Sequence, residues 1–276
     1  MEKTTAEGLE LYHFANLKKF GEINHFISSR AGGFSKGPFK SMNTGFHVGD
    51  NDWIVLQNRK KLAEVLRIDI SQLTFAHQTH SSNIAIIDHV KKGSGSTNYE
   101  SSIPNTDGLV TNIPGICLCV QMADCVPLLL YDPVNKVIGA VHAGWRGTLR
   151  KVAESAVKTM AYTYGCSPSD IIAGIGPSNG PCCYEVGEDV NTEALRSLGD
   201  LKGIIKEHPQ PGKYIFDQWH ANFLQLTDCG IPEKNIEISD LCSHCHSDTF
   251  FSSRKDSGIT GRTTAGIMLK ESACRC

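Results

Sequence analysis

Apolar positions along this chain fall mostly into short runs separated by turn residues, a pattern that favours strands over long helices. Strands are predicted over Ile23–Ser28, Leu73–Ala76, Ile84–Asp88, Leu109–Thr111, Ile116–Met122, Val126–Tyr131, Lys136–Val141, Ile171–Ile175, Tyr214–Phe216, Ile236–Ser239, Phe250–Ser253 and Gly266–Leu269. Apolar spacings of three and four predict helices over Asp52–Leu66, Thr148–Tyr164, Gly187–Leu198 and Asp217–Cys229, with Thr148 and Asp217 as N-caps. Runs of consecutive strands without a βαβ alternation give an α+β class with mixed or antiparallel sheets. The segment Lys91–Asn105 is polar, has no period and reads as a surface loop. With no repeat and no linker, one domain over 1–276 is expected.

The densest chemistry sits in one predicted hairpin. Asp132-Pro133-Val134-Asn135 places proline at the second position of a β-turn between the runs Val126–Tyr131 and Lys136–Val141. If Tyr131 faces Lys136, Cys125 lies directly across from His142 on one sheet face. A one-residue bulge at Asn135 would send the two side chains to opposite faces. His77 and His80, in the stretch after the strand ending at Ala76, add two imidazoles; in an extended chain residues three apart face opposite sides, so only one can turn inward. Two imidazoles and a thiolate suit zinc, with a fourth position left for water or substrate. The bland alternative is an inert buried thiol beside satisfied histidines.

Composition narrows the classes. Lys plus Arg number 27 against 29 for Asp plus Glu, and the basic residues form no run longer than three, so a nucleic-acid footprint is not expected. The first 20 residues lack an apolar signal core and no stretch approaches a membrane span, which makes a cytoplasmic location the expectation. Eleven cysteines in a chain of 276 residues point to reduced thiols rather than a disulfide framework. Cys182 and Cys183 read as separate buried thiols, because a disulfide between neighbours strains the intervening peptide. Cys242 and Cys245 have zinc-knuckle spacing, yet no second pair in the sequence completes four ligands. Cys274 and Cys276 are expected to be mobile.

Anion binding has candidates as well. The glycine-rich stretches Ser29-Arg30-Ala31-Gly32-Gly33 and Asn43-Thr44-Gly45 expose backbone N–H groups near Arg30, Lys36 and Arg59, and a pair of tight turns is the alternative. Arg146 follows the hairpin histidine, flanked by Gly144 and Gly147, and has the planar fork suited to phosphate.

Several motifs in order, from Ser29-Arg30-Ala31-Gly32-Gly33 through Asn43-Thr44-Gly45, His77-Gln78-Thr79-His80, Asp107-Gly108-Leu109-Val110 and Ala123-Asp124-Cys125, resemble the YfiH-like proteins. His142-Ala143-Gly144-Trp145-Arg146-Gly147, Gly176-Pro177-Ser178, Cys183-Tyr184-Glu185-Val186 and Thr260-Gly261-Arg262 extend the resemblance over nearly the whole chain. It implies two packed sheets covered by helices, a fold shared with bacterial toxin deamidases, and zinc ligands His80, Cys125 and His142. It also implies phosphorolysis of adenosine, inosine, guanosine and methylthioadenosine, with hydrolytic deamination of adenosine. Purine nucleosides and phosphate are then the expected partners. Arg30, Asn43, Arg59 and Arg146 are assigned to phosphate and ribose, and Asp124 and His77 are candidates for general acid or base. Rival readings are a Cys125/His142 thiol hydrolase, a copper polyphenol oxidase and a zinc-stabilised binding protein. This chain departs from the family at Lys255 in Ser253-Arg254-Lys255-Asp256 and at Thr263, neither of them a ligand position.

Overall fold

The computed structural model describes residues 1–199 and 203–271. Two six-stranded sheets are present. The first runs in the order Glu2–Ala6, Leu9–His13, Ile23–Ser28, Thr263–Leu269, Cys117–Met122 and Leu73–Phe75. The second runs Ile236–Ile238, Ile172–Ile175, Val126–Asp132, Val137–Ala143, Gly108–Thr111 and Ile84–Ile86. Both are mixed, each antiparallel in its middle with a parallel strand at one or both edges. A small antiparallel sheet of Glu185–Gly187, Lys213–Phe216 and Ile205–Glu207 stands apart from them. The α+β expectation holds.

The central strands read as unbroken apolar runs because both of their faces are buried. Along Val126–Asp132, Leu129 and Tyr131 face the core between the sheets, where they join Ile27, Leu118, Val120 and Ile267. Leu128 and Leu130 face the opposite way, against Val152, Ala156 and Met160 of the helix Val152–Tyr164. Cys117 and Cys119 likewise leave the intersheet core and pack with Leu62 of the helix Asp52–Leu66. Period-two alternation therefore sorts each strand between two cores, and the layers run helix, sheet, sheet, helix.

Several boundaries differ from the pattern. The predicted helix Thr148–Tyr164 is two helices, Trp145–Leu149 and Val152–Tyr164, because Lys151 adopts a left-handed φ of 59° between them. Thr148 is accordingly inside a helix; its Oγ1 bonds Asn222 and caps nothing. Asp217 is the N-cap predicted, accepting from His220 N–H at 2.9 Å. Phe250–Ser253 is not a strand: the chain turns there, with Phe250 N–H donated to His246 O. The hairpin Glu2–Ala6/Leu9–His13 escaped the pattern because its first strand is polar and exposed. Cys274 and Cys276 lie outside the described residues.

Arg59 is a keystone of this scaffold rather than a surface cation. It is 2% exposed, its Nε donates to Thr44 O at 2.7 Å, and its Nη1 donates to Gly95 O and Ser96 O. The guanidinium lies 4.3 Å from the Phe46 ring centre and 3.8 Å from that of Phe75. Burial lowers its pKa to about 9, so it stays cationic at neutral pH. The segment 91–105 is thus not merely a surface loop: it has no regular element, yet its carbonyls close over Arg59 and its Ser96 is buried. Arg59→Met is expected to leave the buried carbonyls of Gly95 and Ser96 without donors, while Thr44 O keeps Gln121 Nε2, and to cost about 3 kcal/mol or more. For a chain of this size that lowers Tm by roughly 6–12 °C in thermal unfolding.

Candidate metal centre

The hairpin brings its cysteine and histidine to one face in a register different from the expected one. Asp132 pairs with Val137, Tyr131 with Ile138, and Pro127 with His142. The four-residue loop is 133–136, with Lys136 left-handed at φ 54° and Asp132 Oδ1 accepting from Val134 and Asn135 N–H. The register therefore differs by two, which preserves the face: Cys125 is a diagonal neighbour of His142, not its direct partner.

The third donor arrives from another crossing. His80 sits between Leu73–Phe75 in the first sheet and Ile84–Ile86 in the second, and Cys125 sits between Cys117–Met122 and Val126–Asp132. Both are where the chain passes from one sheet to the other. The strand ends at Phe75, so the strict alternation expected across His77 and His80 does not apply; His80 takes a left-handed φ of 58°. Its Nε2 lies 3.8 Å from Cys125 Sγ, and one donor atom from each of His80, Cys125 and His142 lies within 4.8 Å of the others. His77 is exposed and its ring meets Tyr99 edge-on at 5.0 Å.

Asp107, completely buried, organises this cluster. Its Oδ1 accepts from His142 Nδ1 at 2.8 Å and from His80 N–H at 3.0 Å. Its Oδ2 accepts from Thr79 N–H at 3.1 Å, Ser81 N–H at 2.7 Å and Ser81 Oγ at 2.7 Å. One carboxylate fixes the backbone that carries one histidine and the ring of the other, directing His142 Nε2 to the cluster. Burial opposes the Asp107 charge, but His142 and Ser81 outweigh it and hold the carboxyl far below its usual range. Burial likewise opposes ionisation of Cys125, and His142 and His80 overcome it, bringing the thiol down to about 6. His142 is raised despite burial, chiefly by the Cys125 thiolate and Asp107.

These donors fit zinc. Zn–S near ~2.3 Å and Zn–N near ~2.0–2.1 Å at tetrahedral angles place sulfur and nitrogen about 3.6 Å apart, against 3.8 Å between Cys125 Sγ and His80 Nε2. Gly144 makes room for them, since a Cβ there would lie 2.5 Å from His80 Cδ2 and 3.1 Å from Cys125 Sγ.

The other expected site residues separate into two groups. Arg30 donates to Lys40 O and Ser247 O and stacks on Phe251, partners outside the cluster. Asn43 is buried, with Oδ1 accepting from Gly45 and Arg262 N–H, and Arg59 is enclosed as described. The glycine turns use their N–H groups internally: Gly33 donates to Ser41 Oγ and Phe34 to Asn58 Oδ1. Tight turns, not a phosphate cradle, are what these stretches form. Arg146 is exposed, stacks on Trp145 at 4.1 Å, and borders a groove of about 360 Å³ with Arg150, whose Nη1 donates to His80 O. Asp124 flanks Cys125 with both oxygens engaged, by Ser243 Oγ at 2.6 Å and Arg254 N–H at 2.7 Å.

Asp107, Gly144 and Arg262 stand in recognisable motifs of the sequence, but nothing in the spacing of those motifs gives these three residues a role. Asp107 precedes a strand that pairs with the one carrying His142, a contact legible only once that pairing is known. Arg262 is a half-buried cation that shares the electrostatic surroundings of Cys125 and Asp124.

Two packed sheets with a His-Cys-His cluster where the chain passes between them define an α+β protein with a candidate metal centre. A family model described as multi-copper polyphenol oxidoreductase laccase matches residues 24–270. The purine nucleoside phosphorylase YlmD of Bacillus subtilis is 37% identical over 250 residues, covering 91% of this chain and 90% of its own. The adenosine deaminase RL5 of an unknown prokaryotic organism is 34% identical over 262 residues, 95% of this chain and 99% of its own. The crystal structure of YlmD from Geobacillus stearothermophilus aligns with a TM-score of 0.91 at 36% identity, over 97% of this chain and 98% of its own. The chain is an enzyme and belongs to this laccase-type YfiH/YlmD family.

Asp107→Asn retains the side-chain size but removes the charge behind His142. Zinc affinity is expected to fall about 10–100-fold, measured by competition with a chromogenic chelator. Cys125→Ser is expected to lose most zinc from this centre, since a hydroxyl resists deprotonation and is a poorer soft ligand; unchanged binding there would remove Cys125 from the ligand set.

Proposed function

We propose that the protein is a zinc-dependent purine nucleoside phosphorylase acting on adenosine, inosine, guanosine and methylthioadenosine, and that it also deaminates adenosine. The observation that carries this reading is the His80, Cys125 and His142 donor set backed by Asp107, in a chain whose relatives bear those two activity names. His80, Cys125 and His142 would hold the zinc ion, which would supply Lewis acidity and activate water for the hydrolytic reaction.

The residues around it bind and orient. Phosphorolysis brings a phosphate dianion to a sugar that is developing positive charge, so it needs guanidinium donors fixed near the cluster. Of the four residues expected for phosphate and ribose, Arg146 is the one with an exposed guanidinium, and Arg262 adds a second cation beside Cys125. Asn43 acts by holding the Arg262 backbone, and Arg30 and Arg59 hold backbone carbonyls of neighbouring segments. His77 is exposed, its ring meets Tyr99 edge-on, and it has no side-chain hydrogen bond among the described residues, which suits it to move a proton to or from the purine. Asp124, with both oxygens engaged, is a positioning residue for the Cys125 turn.

Copper fits one thiolate and two imidazoles as a single ion. A multi-copper oxidase needs further histidine clusters, and among the described residues the other convergent group is made only of cysteines. A thiol hydrolase has one observation in its favour, the Cys125 thiol gathered with His142, whose ring is oriented by Asp107. A metal chelator separates the readings: phosphate-dependent release of adenine from adenosine is expected to stop on chelation and return with zinc, whereas a Cys-His hydrolase survives.

Arg146→Ala is expected to lower phosphorolysis about 10–100-fold, the loss of a charged hydrogen bond, while zinc content stays constant and deamination, which uses water, suffers less. Equal loss of both reactions would place Arg146 outside phosphate binding. Because Cys125 ionises below its unfolded value, its thiolate contribution is complete above that value and is lost as pH falls through about 6. Zinc release and loss of activity are therefore expected on the acid side, followed by a pH titration with a zinc indicator.

A further inference from the structure

A second group of donors lies outside the His80–Cys125–His142 cluster. Cys182, Cys183, Cys242 and Cys245 bring their sulfurs within 4.8 Å of one another. Cys182 Sγ is 3.6 Å and Cys183 Sγ 3.3 Å from Cys245 Sγ. The sequence pattern gave two separate buried thiols and half of a zinc knuckle, and the structure corrects both: Cys182 is exposed, Cys183 is half-buried, and together they supply the missing pair.

Neighbouring side chains in a strand point to opposite faces, so two adjacent cysteines converge only if the chain turns. It does: Cys183 and Tyr184 N–H both donate to Gly180 O at 3.0 Å. The CxxC loop is docked onto this turn through Ser178, whose N–H donates to Leu241 O at 3.2 Å and whose carbonyl accepts from Ser243 N–H at 2.9 Å. Gly180 N–H then points at Cys242 Sγ at 3.3 Å, a donor aimed at sulfur of the kind that stabilises a thiolate ligand. Free cysteines normally pack as small buried hydrophobes, but Cys182 and Cys245 are exposed. A disulfide would join only two of the four sulfurs. Four thiolates around zinc at about 2.3 Å place sulfurs about 3.8 Å apart, against the 3.6 Å and 3.3 Å spacings found.

We propose that Cys182, Cys183, Cys242 and Cys245 bind one zinc ion in a closed four-thiolate site. Four protein ligands leave no open position, so the site is structural. It ties the loop after Ile172–Ile175 to the loop after Ile236–Ile238. These loops also hold Asp124, through Asn179 N–H to its carbonyl at 2.9 Å and Ser243 Oγ to its carboxylate at 2.6 Å. The staple thereby fastens the turn that presents Cys125. This inference does not depend on the nucleoside reading.

The test is zinc stoichiometry in protein purified under reducing conditions. The wild type is expected to hold two ions per chain, His80→Ala/Cys125→Ala one, and Cys182→Ser/Cys245→Ser one, a halving in each double variant. X-ray absorption at the zinc edge of folded His80→Ala/Cys125→Ala protein is expected to show an all-sulfur shell near ~2.3 Å. Should that variant fail to fold, the wild-type spectrum decides: a sulfur-dominated average shell supports two sites, and a nitrogen-dominated one overturns the second. The proposal is also overturned if Cys182→Ser/Cys245→Ser keeps the full wild-type zinc, or if the freshly purified protein carries a disulfide among these four cysteines.

Discussion

The buried carboxylate of Asp107 is the interaction on which the site depends. It accepts the backbone N–H groups of three consecutive residues, Thr79, His80 and Ser81, and the ring Nδ1–H of His142. A carboxylate without water is costly to bury unless every oxygen is satisfied, and here five donors satisfy two oxygens. Its own N–H and carbonyl are engaged too, by Asn83 O and by His142 N–H. The same group therefore shapes the His80 turn, selects the His142 tautomer and supplies negative charge behind the ring.

The fold brings two of the cluster residues to Asp107 by crossing between sheets. His80 and Cys125 lie on separate passages from the first sheet to the second, and His142 ends a strand of the second. Donors collected from crossovers need close backbone approach, which Gly144 permits at the cluster. Arg59 performs the corresponding task away from the cluster, gathering carbonyls from the segments 43–45 and 91–105 around one cation. Arg59, one of the arginines nominated for phosphate, thus has its guanidinium enclosed by the scaffold.

What was legible in the sequence follows from the range of the interactions. The strands Ile23–Ser28 and Val126–Asp132 and the helix Asp52–Leu66 are local patterns, and their apolar spacing located them to within a residue. The hairpin face was legible although its register was not, because an even slip leaves each side chain on its original face. The break at Lys151 was hidden by apolar spacing that continues through both helices. Asp107 against His142, and Cys182 and Cys183 against Cys245, are contacts between segments far apart in the chain, which no periodicity encodes. The family resemblance supplied His80 as the third ligand, where the residues alone left His77 and His80 undecided.

The central claim is that Asp107 orients the ligand set before any metal binds. Nitrogen NMR of the histidine rings in zinc-free and zinc-loaded protein tests it most directly, because it reports which ring nitrogen of His142 carries a proton. The account predicts a protonated Nδ1 in both states, protected from exchange by Asp107. An unprotonated or freely exchanging Nδ1 in the zinc-free protein would show that the metal, not the carboxylate, organises the site.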